Sequence, residues 1–358
     1  MNKAEIRKTT GTWKPDDIFM LLRAFHYLAE FENVRDIFLS CPEPPESVCR
    51  TWQTSLDLRK RIVKIHYNIS MEDSPEFSAP DFPVRLNGRQ IIHIGIPDIP
   101  NLTDFHVHTP LAYCSENMDI AIAVALEHLS GVKHVNFSEH SGQIYCTPDV
   151  YWSNRFVWRT RDARNDRSNV YASLARTSAE TGGSFGLELD VDENADVADM
   201  NHSTLSGFRL GAIHFLGNNL TYEEKKQDFM RRLDALIASR IDILAHPFRV
   251  FLKGGLPIPE DLFEPVAEKL VRAHIAAEIN FHTNRSQPEF VSLLLKKGGK
   301  LSFGTDSHNL YEAGYLKPHY EFCKQLGIAG KLDEILLSGI DSRAANMDEV
   351  VKGEKIQF

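Results

Sequence analysis

The stretch "DFHVHT", residues 104–109, sets His106 and His108 one residue apart at the end of an apolar run. Side chains two apart on a β-strand point to the same face, so this spacing brings two imidazoles to one cation without bending the backbone. Asp104 shares that face and is placed to orient His106. Other metal-capable residues close further β-rich runs: His140 in "FSEH", Glu188 in "GLELD", His214 in "GAIHF", His246 in "ILAH", and Asp306 with His308 in "FGTDSH". Imidazoles mixed with carboxylates suit Zn2+, Mn2+ or Fe2+ better than an all-oxygen Ca2+ site. So many donors overfill one coordination sphere, and more than one divalent ion is expected. A lone histidine is usually solvated or hydrogen-bonded, and His128, His274, His282 and His319 are read that way because no such pattern surrounds them.

For scattered donors to meet, the elements carrying them must end at one place. Seven β-rich runs, at 101–108, 133–140, 184–191, 208–216, 241–246, 275–281 and 300–306, alternate with helical stretches, the pattern of parallel strands with crossover helices. Thr221 with Glu224 predicts a capping box, and Ser286 with Pro288 predicts a helix start closed by Gly298-Gly299. The fold class that follows is α/β, a seven-stranded TIM-like barrel over residues 96–345 whose strand ends build the site. Ahead of it, Ile18, Leu22, Phe25 and Ala29 form a helical stripe within 15–39, and a second helix is expected near 46–66. Residues 1–95 are therefore expected to be an α-rich accessory region with a Pro-rich connector, and 346–358 a C-terminal tail.

Net charge is −9, which argues against a nucleic-acid partner. The five cysteines form no CxxC pair, the N-terminus has no apolar signal core, and no run is long enough to span a membrane, so a cytoplasmic, reduced setting is expected. No residue pattern bears on oligomeric state.

Across "DFHVHT", "FSEH", "GLELD", "GAIHF", "ILAHPFR" and "FGTDSH", in that order, the chain resembles the PHP (polymerase and histidinol phosphatase) superfamily over approximately residues 100–345. The resemblance, which extends to histidinol-phosphatase-like members, implies a distorted seven-stranded barrel, two or three divalent ions, zinc foremost, and phosphoester hydrolysis. It implies that His106, His108, Glu188 and Asp306 hold one ion. Glu188 would bridge to a second ion held also by His214 and His246, and His140 and His308 would hold a third. One position departs from pattern: where such relatives carry another histidine stands Cys114, which either ligates zinc as a thiolate, yields to Glu116 nearby, or merely packs.

The expected chemistry is hydrolysis of a small phosphomonoester by a hydroxide bridging the ions that share Glu188, with Asp306 as ligand and either a third ion, or His308 as general acid, stabilising the leaving group. Arg249, with Lys253 behind it, is expected to meet the phosphate. The arginine-rich segment 154–167 offers Arg155 and Arg159 at the pocket mouth, or else forms a solvated helix face; Asn280 joins the pocket by the resemblance. Competing readings are an amidohydrolase-type enzyme cutting C–N or C–O bonds, a phosphodiesterase or exonuclease of the PHP type, and a barrel kept for regulation. The first of these usually bridges its metals with a carboxylated lysine, and no lysine ends a strand here.

Overall fold

In the computed structural model, residues 96–338 are described except 116–117, 154–164, 199–207, 284 and 311, together with five strands in the first 92 residues. The chain divides into two compact units, Met1–Asp98 and Ile99–Phe358.

The first unit carries β1 (Asn2–Arg7), β2 (Val34–Ser40), β3 (Lys64–Tyr67), β4 (Val84–Leu86) and β5 (Gln90–Ile92), in the sheet order β3-β2-β1-β4-β5. The α-rich expectation fails at these residues. Positions 34–39 of the expected helix 15–39 belong to β2, and positions 64–66 of the second belong to β3. The physical reason lies in pairing: β2 has parallel partners on both sides, β1 and β3, and its Ile37-Phe38-Leu39 run is the continuous apolar pattern such a strand carries. Residues 15–33, 46–63 and 346–358 lie outside the described residues.

The second unit is a closed barrel of seven parallel strands: β6 (Thr103–Val107), β7 (His134–His140), β8 (Ser184–Asp190), β9 (Arg209–Ala212), β10 (Ile243–Leu244), β11 (Ala276–Ile279) and β12 (Leu301–Phe303). All seven expected strands are present, several of them shorter. The fourth ends at Ala212, so His214 stands in the loop beyond it. Helices such as Ser168–Glu180, Tyr222–Ala238, Phe263–Arg272 and Pro288–Lys296 connect the strands. The Thr221–Glu224 capping box opens the helix Tyr222–Ala238 as expected. At Pro288 the cap is Gln287 rather than Ser286, whose hydroxyl turns back to the Asn280 backbone. Among the described residues no helix is long and apolar enough to cross a membrane.

Two features of the barrel position the chemistry. Parallel strands send their C-terminal ends to one rim. At the seam, the chain after β12 continues alongside β6: Asp306 N donates to His106 O at 2.7 Å, and His108 N donates to Ser307 O at 3.0 Å. Residues about 200 positions apart are thereby fixed side by side by backbone hydrogen bonds.

Candidate metal centre

Glu188, fully buried on β8, is the point on which the rim converges. Five imidazoles face its carboxylate: His140 Nδ1 at 2.7 Å, His246 Nε2 at 2.9 Å, His214 Nε2 at 3.2 Å, His106 Nε2 at 3.4 Å and His108 Nε2 at 3.7 Å. Asp306 lies on the other side of the His-x-His pair, 3.1 Å from His108 Nε2 and 3.6 Å from His106 Nε2. Donor atoms gather within 4.8 Å in overlapping groups: His106, His108 and Glu188; His140, Glu188 and His214; His108, His140 and His308. His106, His108, His140, Glu188, His214, His246, Asp306 and His308 are thus brought to one rim.

The backbone that aims them is unusual at three points. His246, Phe248 and Asp306 all have positive φ, at 29°, 66° and 53°, a region that costs non-glycine residues of order 1–3 kcal/mol each. Phe248 is held there by ring contacts with Phe229, Phe263 and Phe290 at 5.5, 5.1 and 5.0 Å between centroids. Packing under the loop therefore sets the direction of His246 and Arg249 above it.

Carboxylates behind the imidazoles fix their orientation. Glu278 on β11 meets His106 Nδ1 at 2.8 Å, and its other oxygen accepts from His246 N at 2.6 Å. Asp190 meets His214 Nδ1 at 2.7 Å and accepts from Tyr151 Oη at 3.0 Å. Glu139 Oε1 stands 3.5 Å from His108 Nδ1. The hydrogen bonds from Glu278 and Asp190 leave Nε2 of His106 and His214 pointing inward and basic. The expectation that Asp104 orients His106 is corrected: its carboxylate accepts instead from the backbone of His106 and from Thr305, and Glu278 takes the ring. Glu278, Asp190 and Glu139 were not singled out from the sequence, although a carboxylate inside the apolar run "IAAEINF" with no adjacent cation is a signal in itself.

Hydrogen bonding alone does not satisfy this cluster. His106 Nε2 and His214 Nε2 are buried without hydrogen-bond partners. His246 Nε2 faces both Glu188 Oε1 and Arg249 Nη2, the latter at 2.5 Å, and a neutral imidazole nitrogen cannot donate to the one while accepting from the other. A cation seated between Glu188 and the rings would satisfy the unpartnered nitrogens, and would take His246 Nε2 once Arg249 Nη2 withdrew from it. Burial works against the charge on Glu188, but His140, His214 and His106 outweigh it and hold its pKa well below the usual carboxylate range. Asp306 is likewise held low, against burial, by His106 and Arg249. Burial and neighbouring positive charge keep His246 and His308 far below the ordinary imidazole value, so they stand neutral, the form that ligates metal.

The remaining expected residues divide. Arg249 is buried and donates to Asp306 Oδ2 at 2.5 Å, which puts a fixed cation inside the rim. Lys253 is an exposed residue whose ammonium is shielded by the surrounding protein; that burial, and then the Arg249 charge, lower its pKa to about 8. Asn280 is buried, and its amide donates to Glu278 and Asp306, so it braces ligands rather than lining open space. Cys114 Sγ lies 3.7 Å from His140 Nε2, but burial and then Glu139 push its thiol far up, and it joins none of the donor groups. Glu116, Arg155 and Arg159 lie outside the described residues. His282, read from the sequence as a solvated or structural residue, stacks on His308 with 4.7 Å between ring centroids.

No family model matches this chain, and no curated protein matches it.

Proposed function

We propose that the chain is a metal-dependent hydrolase, and specifically a phosphoesterase of the PHP type acting on a small phosphomonoester. The observation that carries the reading is the convergence of five imidazoles and Asp306 on one buried carboxylate, Glu188, at the C-terminal rim of a seven-stranded parallel barrel. That donor set fits zinc, manganese or iron. When bound, such ions lower the pKa of water and neutralise charge on phosphoryl oxygens.

The chain's own residues have separable tasks under this reading. Glu188 would supply negative charge to bound ions, and His106, His108, His214, His246 and Asp306 would hold them. Glu278 and Asp190 keep His106 and His214 in the tautomer that presents Nε2. Arg249 offers a planar guanidinium to phosphate oxygens, and Lys253 a second positive charge. His308, neutral and with its Nδ1–H donated to Asp306 O at 2.7 Å, has Nε2 free of a proton, so under this reading it would serve as a metal ligand rather than as a proton donor.

A phosphate-release screen over a panel of phosphorylated metabolites, with p-nitrophenyl phosphate as a general substrate, tests the reading. Release that depends on added divalent metal supports it. Hydrolysis of cyclic amides of the dihydroorotate kind without phosphate release would replace it by the amidohydrolase reading.

A further inference from the structure

One further donor cluster shares only His308 with the groups around Glu188. His282 follows β11, His308 and Glu312 follow β12, and one donor atom from each lies within 4.8 Å of the others. His282 Nδ1 stands 3.5 Å from Glu312 Oε1. The His282 side chain is 17% exposed, against 0% for His106, His108 and Glu188, while Glu312 and His308 are buried, so His282 forms the solvent side of this cluster.

We propose that His282, Glu312 and His308 hold a divalent transition-metal ion at the outer rim, and that this position, not one built on Cys114, is the third metal site of the protein. The proposal rests on the reading of the rim as a metal centre. Three observations carry it. The donors are pre-set: Glu312 Oε2 accepts from His308 N at 3.2 Å, His282 N donates to Asn280 Oδ1 at 2.9 Å, and His308 Nδ1 is committed to Asp306 O. The set is two imidazoles and a carboxylate, which partly neutralises a dication and leaves coordination positions open. The inner alternative, His108, His140 and His308, has no carboxylate, and Cys114 belongs to no donor group among the described residues. His308 has only Nε2 left to give, so it serves one of the two positions at a time. The carboxylate and the open positions favour the outer one.

Reconstitution with Co2+ and Zn2+, followed by counting of bound metal, tests this in the wild-type chain, the double variant His282→Ala/Glu312→Gln and Cys114→Ser. Glutamine at 312 retains an oxygen to accept from His308 N, and the melting temperature of the metal-free proteins checks that each variant folds. We expect three equivalents in the wild type, two in the double variant and three in C114S. No thiolate-to-cobalt charge-transfer absorption is expected, and the outer ion should leave first under chelator. A cobalt–thiolate band, loss of an equivalent in C114S, full retention in the double variant, or only two equivalents in the wild type would each overturn the proposal. This outcome is separable from the functional reading. Absent phosphate release with the expected metal pattern strikes the function alone, and metal-dependent release with an unchanged double variant strikes the outer site alone.

Discussion

Glu278 and His106 are joined at 2.8 Å across 172 positions of sequence, with both side chains fully buried. Burial disfavours the His106 cation, yet Glu278, Asp306 and Glu188 together hold its pKa well above the ordinary value. A field that favours an imidazolium there favours a divalent ion in the same place. Glu278→Gln keeps the shape and removes the charge. It should weaken metal binding by about 10–100-fold, the usual effect of losing a carboxylate behind a ligating histidine, while the metal-free protein stays folded. Titration with a fluorescent zinc competitor reads this directly, and unchanged affinity would remove Glu278 from the account.

Gly304 makes room for that carboxylate. A Cβ at this position would stand 1.8 Å from Glu278 Oε1 and 2.7 Å from His106 Cβ. Gly304→Ala should lower stability by about 1–3 kcal/mol through overpacking and weaken metal binding with it. Adding Glu278→Ala should recover part of the lost stability, because the two substitutions share one clash. Urea unfolding of the metal-free single and double variants checks the cycle; strict additivity would contradict it.

Under the proposed function, Arg249 would bind the substrate phosphate. It touches Asp306 and His246 from within the rim, where a guanidinium can also reach a phosphate. Loss of a charge-assisted hydrogen bond, about 1.5–3 kcal/mol, corresponds to a rise in KM of about 10–100-fold. Arg249→Gln should show that rise with metal content unchanged.

Lys253 gives the pH dependence a sign. With its pKa lowered to about 8, the ammonium is charged below that pH and neutral above it. A phosphate held by Lys253 is therefore held in the acid range and released as pH rises through about 8. KM for a phosphomonoester should climb on that limb in the wild type. Lys253→Arg, charged throughout, should flatten it. A limb that persists in the variant would assign the titration elsewhere.

Much of the barrel and most of the centre were legible because each donor falls at the end of a β-rich run, and a parallel barrel sends those ends to one rim. His106, His108, Glu188, His214, His246, Asp306 and His308 meet for that reason. What escaped were relationships that no local pattern encodes. Glu278 and Asp190 look like ordinary strand residues until β6 and the loop after β9 supply their histidines. His282 looked solvated because Glu312 reaches it from another βα unit. In the first unit, β2 was read as helix because its partners β1 and β3 lie far from it in sequence, and propensity yields to pairing of that kind.

The central claim, that Glu188 anchors a cluster of divalent ions, is tested most directly by elemental analysis of the purified chain and of Glu188→Gln. At least two equivalents of zinc, manganese or iron are expected in the wild type. E188Q should lose most of that metal and its phosphate release together. A wild type that binds no metal after incubation with zinc and manganese, or an E188Q protein with full metal content and full turnover, would contradict the account.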